Sequence, residues 1–377
     1  MEYADCCSRR PVCRSRPRTF PLSSQRPLDG IICLYRRSDQ RRKYAMSRNA
    51  RIFGILMIVL LLSVVVSCSL GASGIHPQEL VHAVLSGDFA SPAARIFWYV
   101  RLPRILAAIL AGAALSASGL LLQSVLRNPL AAPGVIGINS GAGLSALVCM
   151  VLFPSMLQLV PFAAFFGACI SAFAVYLLAK LTGASKSTIV LAGVAVNSIL
   201  GACMDAIVTL VPDAVVSRSA FSIGGFANTT MLQLRFAAPL IAAALIAALL
   251  LRRELGIMAL GDDVAHSLGL KVDRFRAVFL VASAMLAGAA VSFAGLIGFV
   301  GLISPHMSRM ICKSDSHLQI PITIAFGASL CLICDLIART AFAPYELPVG
   351  IVLSFLGAPF FLYLLLIRKK RSRHDEN

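Results

Sequence analysis

The sequence predicts an all-α polytopic membrane protein of about ten transmembrane helices, built on an inverted internal repeat, with both termini in the cytoplasm. Composition points there first: 58% of the 377 residues are hydrophobic and only 14% charged, against roughly 25% charged in soluble domains. Apolar stretches long enough for the roughly 30 Å hydrocarbon layer recur along most of the chain. They are dense in Gly and Ala and lack alternating polar positions, the pattern of spanning helices rather than of a barrel. Finally, Leu110-Ala-Gly-Ala-Ala-x-Ser-x-x-Gly-Leu120 recurs as Leu286-Ala-Gly-Ala-Ala-x-Ser-x-x-Gly-Leu296, and the same offset carries Pro129 onto Pro305. The copies lie five spans apart and so run in opposite directions, as in transport proteins whose pathway lies between two halves. Both prolines are expected to kink or start a helix.

Residues 1–45 are rich in Arg, Ser and Pro without an apolar period, and residues 1–48 hold twelve Lys/Arg against four acids. They are expected to form a disordered basic extension, and they lack the apolar core of a signal peptide. Met46-Ser-Arg-Asn-Ala-Arg leads straight into a span, which suggests Met46 as the start of a single transmembrane domain over 46–377. Spans are predicted at 52–70, 104–126, 135–153, 160–180, 188–211, 232–251, 277–296, 299–312, 318–339 and 348–367. The eighth is short enough for a half-helix, and Gly295, Gly298 and Gly301 supply a tight turn before or within it. The excess of Lys/Arg in alternate loops places both termini inside the cell. Arg95, Arg101 and Arg104 in the first outer loop run against that bias.

Several functions are excluded. No basic segment is interleaved with stacking aromatics, so no nucleic-acid partner is expected. No converging set of metal ligands is present. Cys331-x-x-Cys334 falls inside a span and reads as packing, and His306 stands alone.

Residues 252–276 form the most polar interior segment. Asp262 and Asp263 after Gly261 suit the first turn of a short helix, and Gly269 suits its C-terminal cap. Val264, Ala265 and Leu268 share one face, with Ile257, Met258 and Leu260 just ahead. A capped helix outside the bilayer with an apolar face must be covered, by the protein's own span ends or by a groove on a partner. Within the bilayer, Asn197, Gly201 and Asp205 lie four apart on the fifth span, where polar groups are expensive. Asp335 and Arg339 are spaced for a local ion pair.

These residues carry a resemblance. Gly261-Asp-Asp-x-Ala-x-x-Leu-Gly269 is similar to the ATPase-contacting segment of FecCD-type permeases, the membrane subunits of ATP-binding-cassette (ABC) importers for iron-siderophore, haem and cobalamin. Arg101-Leu-Pro-Arg104, Asn128-Pro-Leu-Ala-x-Pro-Gly134, Leu191-Ala-Gly-Val-Ala195, Gly298-Phe-x-Gly-Leu-x-x-Pro-His306 with Arg309, Glu346-Leu-Pro-x-Gly350 and Gly357-Ala-Pro359 follow in the same order. The resemblance covers residues from about 50 to 370. It implies ten helices per subunit, a homodimer around a central pathway, two cytoplasmic ATPase subunits and a periplasmic or lipid-anchored substrate-binding protein, in the inner (cytoplasmic) membrane. It assigns Leu260, Gly261, Asp262, Asp263, Ala265, Leu268 and Gly269 to ATPase coupling, and Arg101, Arg104 and Arg339 to binding-protein docking. Lys186 and Ser187 fall at the cytoplasmic gate, where Lys186 departs from the usual small hydroxyl residue. Asn197, Gly201 and Asp205 fall on a pathway-lining helix, although Asp205 is outside the motif.

No G-x-x-x-x-G-K-[ST] phosphate loop is present, since Gly183-Ala-Ser-Lys-Ser-Thr188 lacks the second glycine. The chain is therefore expected to be a transport subunit rather than an enzyme. It would bind no cofactor itself, with ATP and magnesium on the partner ATPase. Iron chelates are the first expected cargo, ahead of haem and cobalamin. The competing reading is a secondary transporter driven by an ion gradient through Asp205.

Overall fold

The computed structural model describes residues 26–70, 91–181, 186–312, 318–343 and 345–375. Two compact units are distinguished, Met1–Met46 and Ser47–Asn377. Helix α1 is Arg26–Ser69. The stretch 26–45, expected to lack regular structure, is thus helical: Ile31, Ile32 and Tyr35 precede a run of helix formers, Gln40-Arg-Arg-Lys43. Residues 1–25, the rest of the expected extension, lie outside the described residues.

The second unit continues with α2 (Pro92–Ile96), a π-helical turn (Phe97–Arg101), α3 (Leu102–Val125), a 3-10 turn (Pro133–Ile136), α4 (Ile138–Leu152) and α5 (Val160–Leu181). Then follow α6 (Lys186–Leu210), α7 (Ala214–Ile223), α8 (Met231–Leu250), α9 (Arg252–Leu260), α10 (Asp262–Ser267) and α11 (Val272–Ala294). The last three are α12 (Val300–Ile311), α13 (Gln319–Thr340) and α14 (Val349–Asp375). No strand occurs among the described residues. Each predicted span coincides with a helix, and seven helical stretches among the described residues are long and apolar enough to cross a membrane. Helix α7 is an addition between the fifth and sixth predicted spans: its ten residues are too few to read as a span.

The centre of the unit is α3 and α11, whose apolar windows are 83% and 78% buried, whereas those of α1 and α6 are 11% buried. Small residues make this packing possible. A Cβ on Gly112 would strike the Gly327 carbonyl of α13, and one on Gly119 would strike the backbone of Gly301 in α12. In lipid, where apolar burial gives no advantage to helix contact, such close approach is what favours association.

The repeat extends to these contacts. Helix α3 packs on α13 as α11 packs on α5, two pairs related by a shift of five spans. Gly112 faces α13, and its repeat mate Gly288 faces Ala168 of α5. Ser116 donates to the Ala113 carbonyl at 3.0 Å, and Ser292 to the Ala289 carbonyl at 2.8 Å. The copies then diverge. Helix α3 runs through Gly119 to Val125, but α11 stops at Ala294 because Gly295 adopts φ +69°. Pro129 consequently lies in the exposed turn after α3 and kinks nothing, which corrects the expectation, while Pro305 lies buried inside α12. Cys331 and Cys334 are fully buried free thiols among the packed side chains of α13.

Candidate functional site

The polar segment folds into two short helices. Gly261 joins α9 to α10 at φ 126° and ψ 159°, a conformation essentially restricted to glycine. At the far end, Leu270 N donates to the Ala265 carbonyl at 3.0 Å and Gly269 N to the His266 carbonyl at 2.9 Å, with Gly269 at φ +80°. This is a Schellman cap, which satisfies otherwise unpaired carbonyls. Asp262 pairs with Arg276 of α11 at 2.9 Å and ties the segment to the central helix. The apolar face is split. Met258 and Ala265 pack inward, whereas Leu260, Val264 and Leu268 stand outward at 54%, 43% and 60% exposure. Asp263 is exposed beside them. The segment is held by its buried side and presents an apolar ridge on the other.

At the opposite end of α3 lies a cluster of charges. Arg104 Nε stands 3.0 Å from each oxygen of Asp335, and Nη1 donates to Glu346 at 2.6 Å. Arg339 donates to the Ser67 carbonyl at 2.8 Å, and Arg101 to the Cys68 carbonyl. All three arginines are buried, at 3% to 6% exposure. This corrects the expectation that they face a docking protein. The cause is internal demand: Asp335 needs a partner inside α13, and the last turn of α1 leaves carbonyls without intrahelical donors. The expected Asp335–Arg339 pair is present at 3.8 Å but is secondary to Arg104. Glu346, whose side chain is 36% exposed, is the member of the cluster that reaches the surface.

Helix α6 begins at Lys186, but the side chains of Lys186 and Ser187, the expected gate, lie outside the described residues, as do residues 182–185. Asn197 is engaged, donating to the Gly134 carbonyl at 2.8 Å. Gly201 has open space where a Cβ would be. Asp205 pairs with Arg218 of α7 at 2.6 Å, a partner that sequence reasoning missed because α7 was not foreseen.

Two cavities flank the end of α7. One, of about 590 Å³, is bordered by Arg104, Glu346, Phe221, Gly224 and Gln233; the other, of about 740 Å³, by Asn139, Ser222, Gly298, Gly350 and Ser354. Ile223 borders both. Between them three interrupted helices are stitched together: Gly225 N to the Ala294 carbonyl at 2.8 Å, Leu296 N to Phe221 at 2.9 Å, and Gly350 N to Gly224 at 3.3 Å. A Cβ on Gly350 would collide with the Ile223 carbonyl. Non-helical backbone is tolerated at membrane depth where it is buried in protein or borders a cavity, as in transporters with broken helices. Among the described residues no group of His, Cys, Asp or Glu could hold a metal ion.

The comparisons agree with this architecture. The model of the FecCD transport family matches residues 57–367. The chain is 35% identical over 318 residues to the Fe(3+)-citrate import system permease protein YfmE of Bacillus subtilis, covering 84% of this chain and 95% of that one. It is 35% identical over 330 residues to the hemin transport system permease protein HmuU of Yersinia pestis, covering 86% and 99%. A solved structure described as an inward-facing metal-chelate type ABC transporter superposes with a TM-score of 0.72 at 26% identity, covering 84% of this chain and 99% of that one. With the family model and these relatives spanning nearly all of the 47–377 unit, the chain belongs to the FecCD transport family of ABC-transporter permeases.

Proposed function

We propose that this chain is the translocating subunit of an importer that carries an iron-siderophore complex, or a haem- or cobalamin-type cargo, across the cytoplasmic membrane. A separate ATPase supplies the energy, and an external binding protein delivers the cargo. The observation that carries the reading is the ridge of Leu260, Val264 and Leu268 on a capped, ion-paired segment. An apolar ridge outside the lipid is suited to a groove on a partner. The relatives named for ferric citrate and hemin support the cargo class. The lack of a G-x-x-x-x-G-K-[ST] phosphate loop in the sequence is consistent with hydrolysis on a separate polypeptide.

The working unit is a homodimer with both termini inside the cell. Helices α1 and α6 are equally unburied in the single chain. The part of α1 within its span is apolar, with serine its only polar residue type after Arg51, and suits lipid. Helix α6 bears Asn197, Ser198 and Asp205, and an ion pair facing lipid would be costly. Helix α6 therefore faces the dimer axis and the pathway. An external binding protein meets Glu346 at the surface rather than the three buried arginines. The pairing of Asp205 with Arg218 speaks against the competing reading, in which a free carboxylate couples transport to an ion gradient.

The test is Leu268→Asp in cells that depend on this system for ferric citrate or hemin. Uptake is expected to fall to background with membrane yield unchanged, and the variant is expected not to co-purify with the ATPase subunit. Normal uptake by this variant refutes the reading.

A further inference from the structure

The Asn128-Pro-Leu-Ala-x-Pro-Gly134 motif follows directly on Arg127. Asn128 Oδ1 accepts from Leu130 N at 2.9 Å, closing a tight turn after α3. Arg127 is the residue just past the helix cap at Leu126 and has φ +48°. That left-handed position is the usual seat of glycine, because a Cβ there crowds the following carbonyl oxygen. Only one other described non-glycine residue, Phe299, has positive φ.

The side chain explains the strain. A Cβ built on Gly261 would lie 2.9 Å from Arg127 Nη1 and 3.4 Å from Cζ, so the guanidinium lies directly over that glycine. Gly261 ends α9 and precedes Asp262 and Asp263 of α10. The cation therefore sits at the junction of the two helices, at the C-terminal end of α9, where positive charge is favourable, and next to the start of α10 with its two acids. An arginine stands where glycine is at ease, against a glycine whose missing side chain makes room for it. Helix α3 runs from there to Arg104, roughly 35 Å at 1.5 Å per residue, and packs on α8, α9, α11, α12 and α13 on the way.

We propose that Arg127 is a positioning residue for ATP-driven transport. It seats the 261–269 segment on the end of α3, so that a push on that segment enters the central helix and reaches the Arg104 cluster at its other end. This rests on the coupling role given to the segment above.

Arg127→Gly separates seating from simple capping, because glycine relieves the backbone strain while removing the guanidinium. Full-length protein in detergent is expected to keep or raise its melting temperature. Amide exchange over 261–270 is expected to quicken about threefold, as for loss of a cation at a helix end, and Arg127→Lys is expected to restore most of the protection. In the complete transporter, with ferric citrate and hemin as probes, Arg127→Gly is expected to consume more ATP per cargo imported. Unchanged exchange over 261–270 overturns the contact. Faster exchange with wild-type ATP consumption per cargo overturns the transmission. A wild-type complex that the ATPase does not drive would instead overturn the importer reading, and the exchange measurement still decides the seating.

Discussion

Arg104 and Asp335 lie 231 positions apart in the chain and meet inside the protein, with Nε 3.0 Å from both carboxylate oxygens. The same guanidinium reaches Glu346. Two sequence motifs, Arg101-Leu-Pro-Arg104 and Glu346-Leu-Pro-x-Gly350, are thus two halves of one structure. Through Gly350 the second half connects to the stitched helix ends beside the cavities.

Asp335→Ala is expected to be severe, since removing one partner of a buried pair leaves an uncompensated charge at a cost of about 3–5 kcal/mol. Glu346→Gln, at the surface, is expected to cost under about 1 kcal/mol. Arg104→Met combined with Asp335→Leu is expected to recover much of the loss. Thermal unfolding of the purified protein ranks the three, and equal losses for Asp335→Ala and Glu346→Gln contradict the burial of the cluster.

Gly112→Leu and Gly119→Leu are each expected to abolish folded protein, because the added side chain meets backbone across the helix crossing; overpacking costs at least about 1–3 kcal/mol where neighbours cannot yield. Gly298→Ala has nothing within 4 Å of the new Cβ and is the control. Size-exclusion profiles of detergent extracts distinguish them.

Arg218→Ala leaves Asp205 without its ion-pair partner on an otherwise apolar helix. Uptake is expected to fall sharply. Exchanging the pair, Asp205→Arg with Arg218→Asp, is expected to return most of it. A swap as poor as the single variant shows that the two positions do more than neutralise each other.

Thiol labelling probes the environment of α6. Cys203 is exposed on that helix, whereas Cys331 and Cys334 are fully buried. A membrane-impermeant maleimide is expected to modify Cys203 in the assembled dimer and to leave Cys331 and Cys334 intact until denaturation. Protection of Cys203 in membranes argues that α6 faces lipid.

What could be read beforehand was local. Apolar runs located the spans, and Gly261, Asp262 and Gly269 announced a capped helix because cap chemistry is encoded within a few residues. The split of its apolar face into a buried Ala265 and an exposed Leu268 was not readable, since both side chains are apolar and only the neighbouring helices decide. The arginines were misplaced for the same reason. A charge bias reports the side of the membrane, but it cannot show that Asp335 and the end of α1 draw those side chains inward. Helix α7 escaped notice because ten residues containing Arg218 and three serines carry no spanning signal.

The divergence of the two repeat copies has a mechanical consequence. Where α3 passes through Gly119 as one unbroken column, its twin α11 ends at Ala294 and the chain turns at Gly295 and Phe299 before α12 begins. Two halves built from the same lock are therefore unequal in stiffness. Bending is expected at the elbow of residues 295–299, where the helix is interrupted, rather than along the unbroken column of α3.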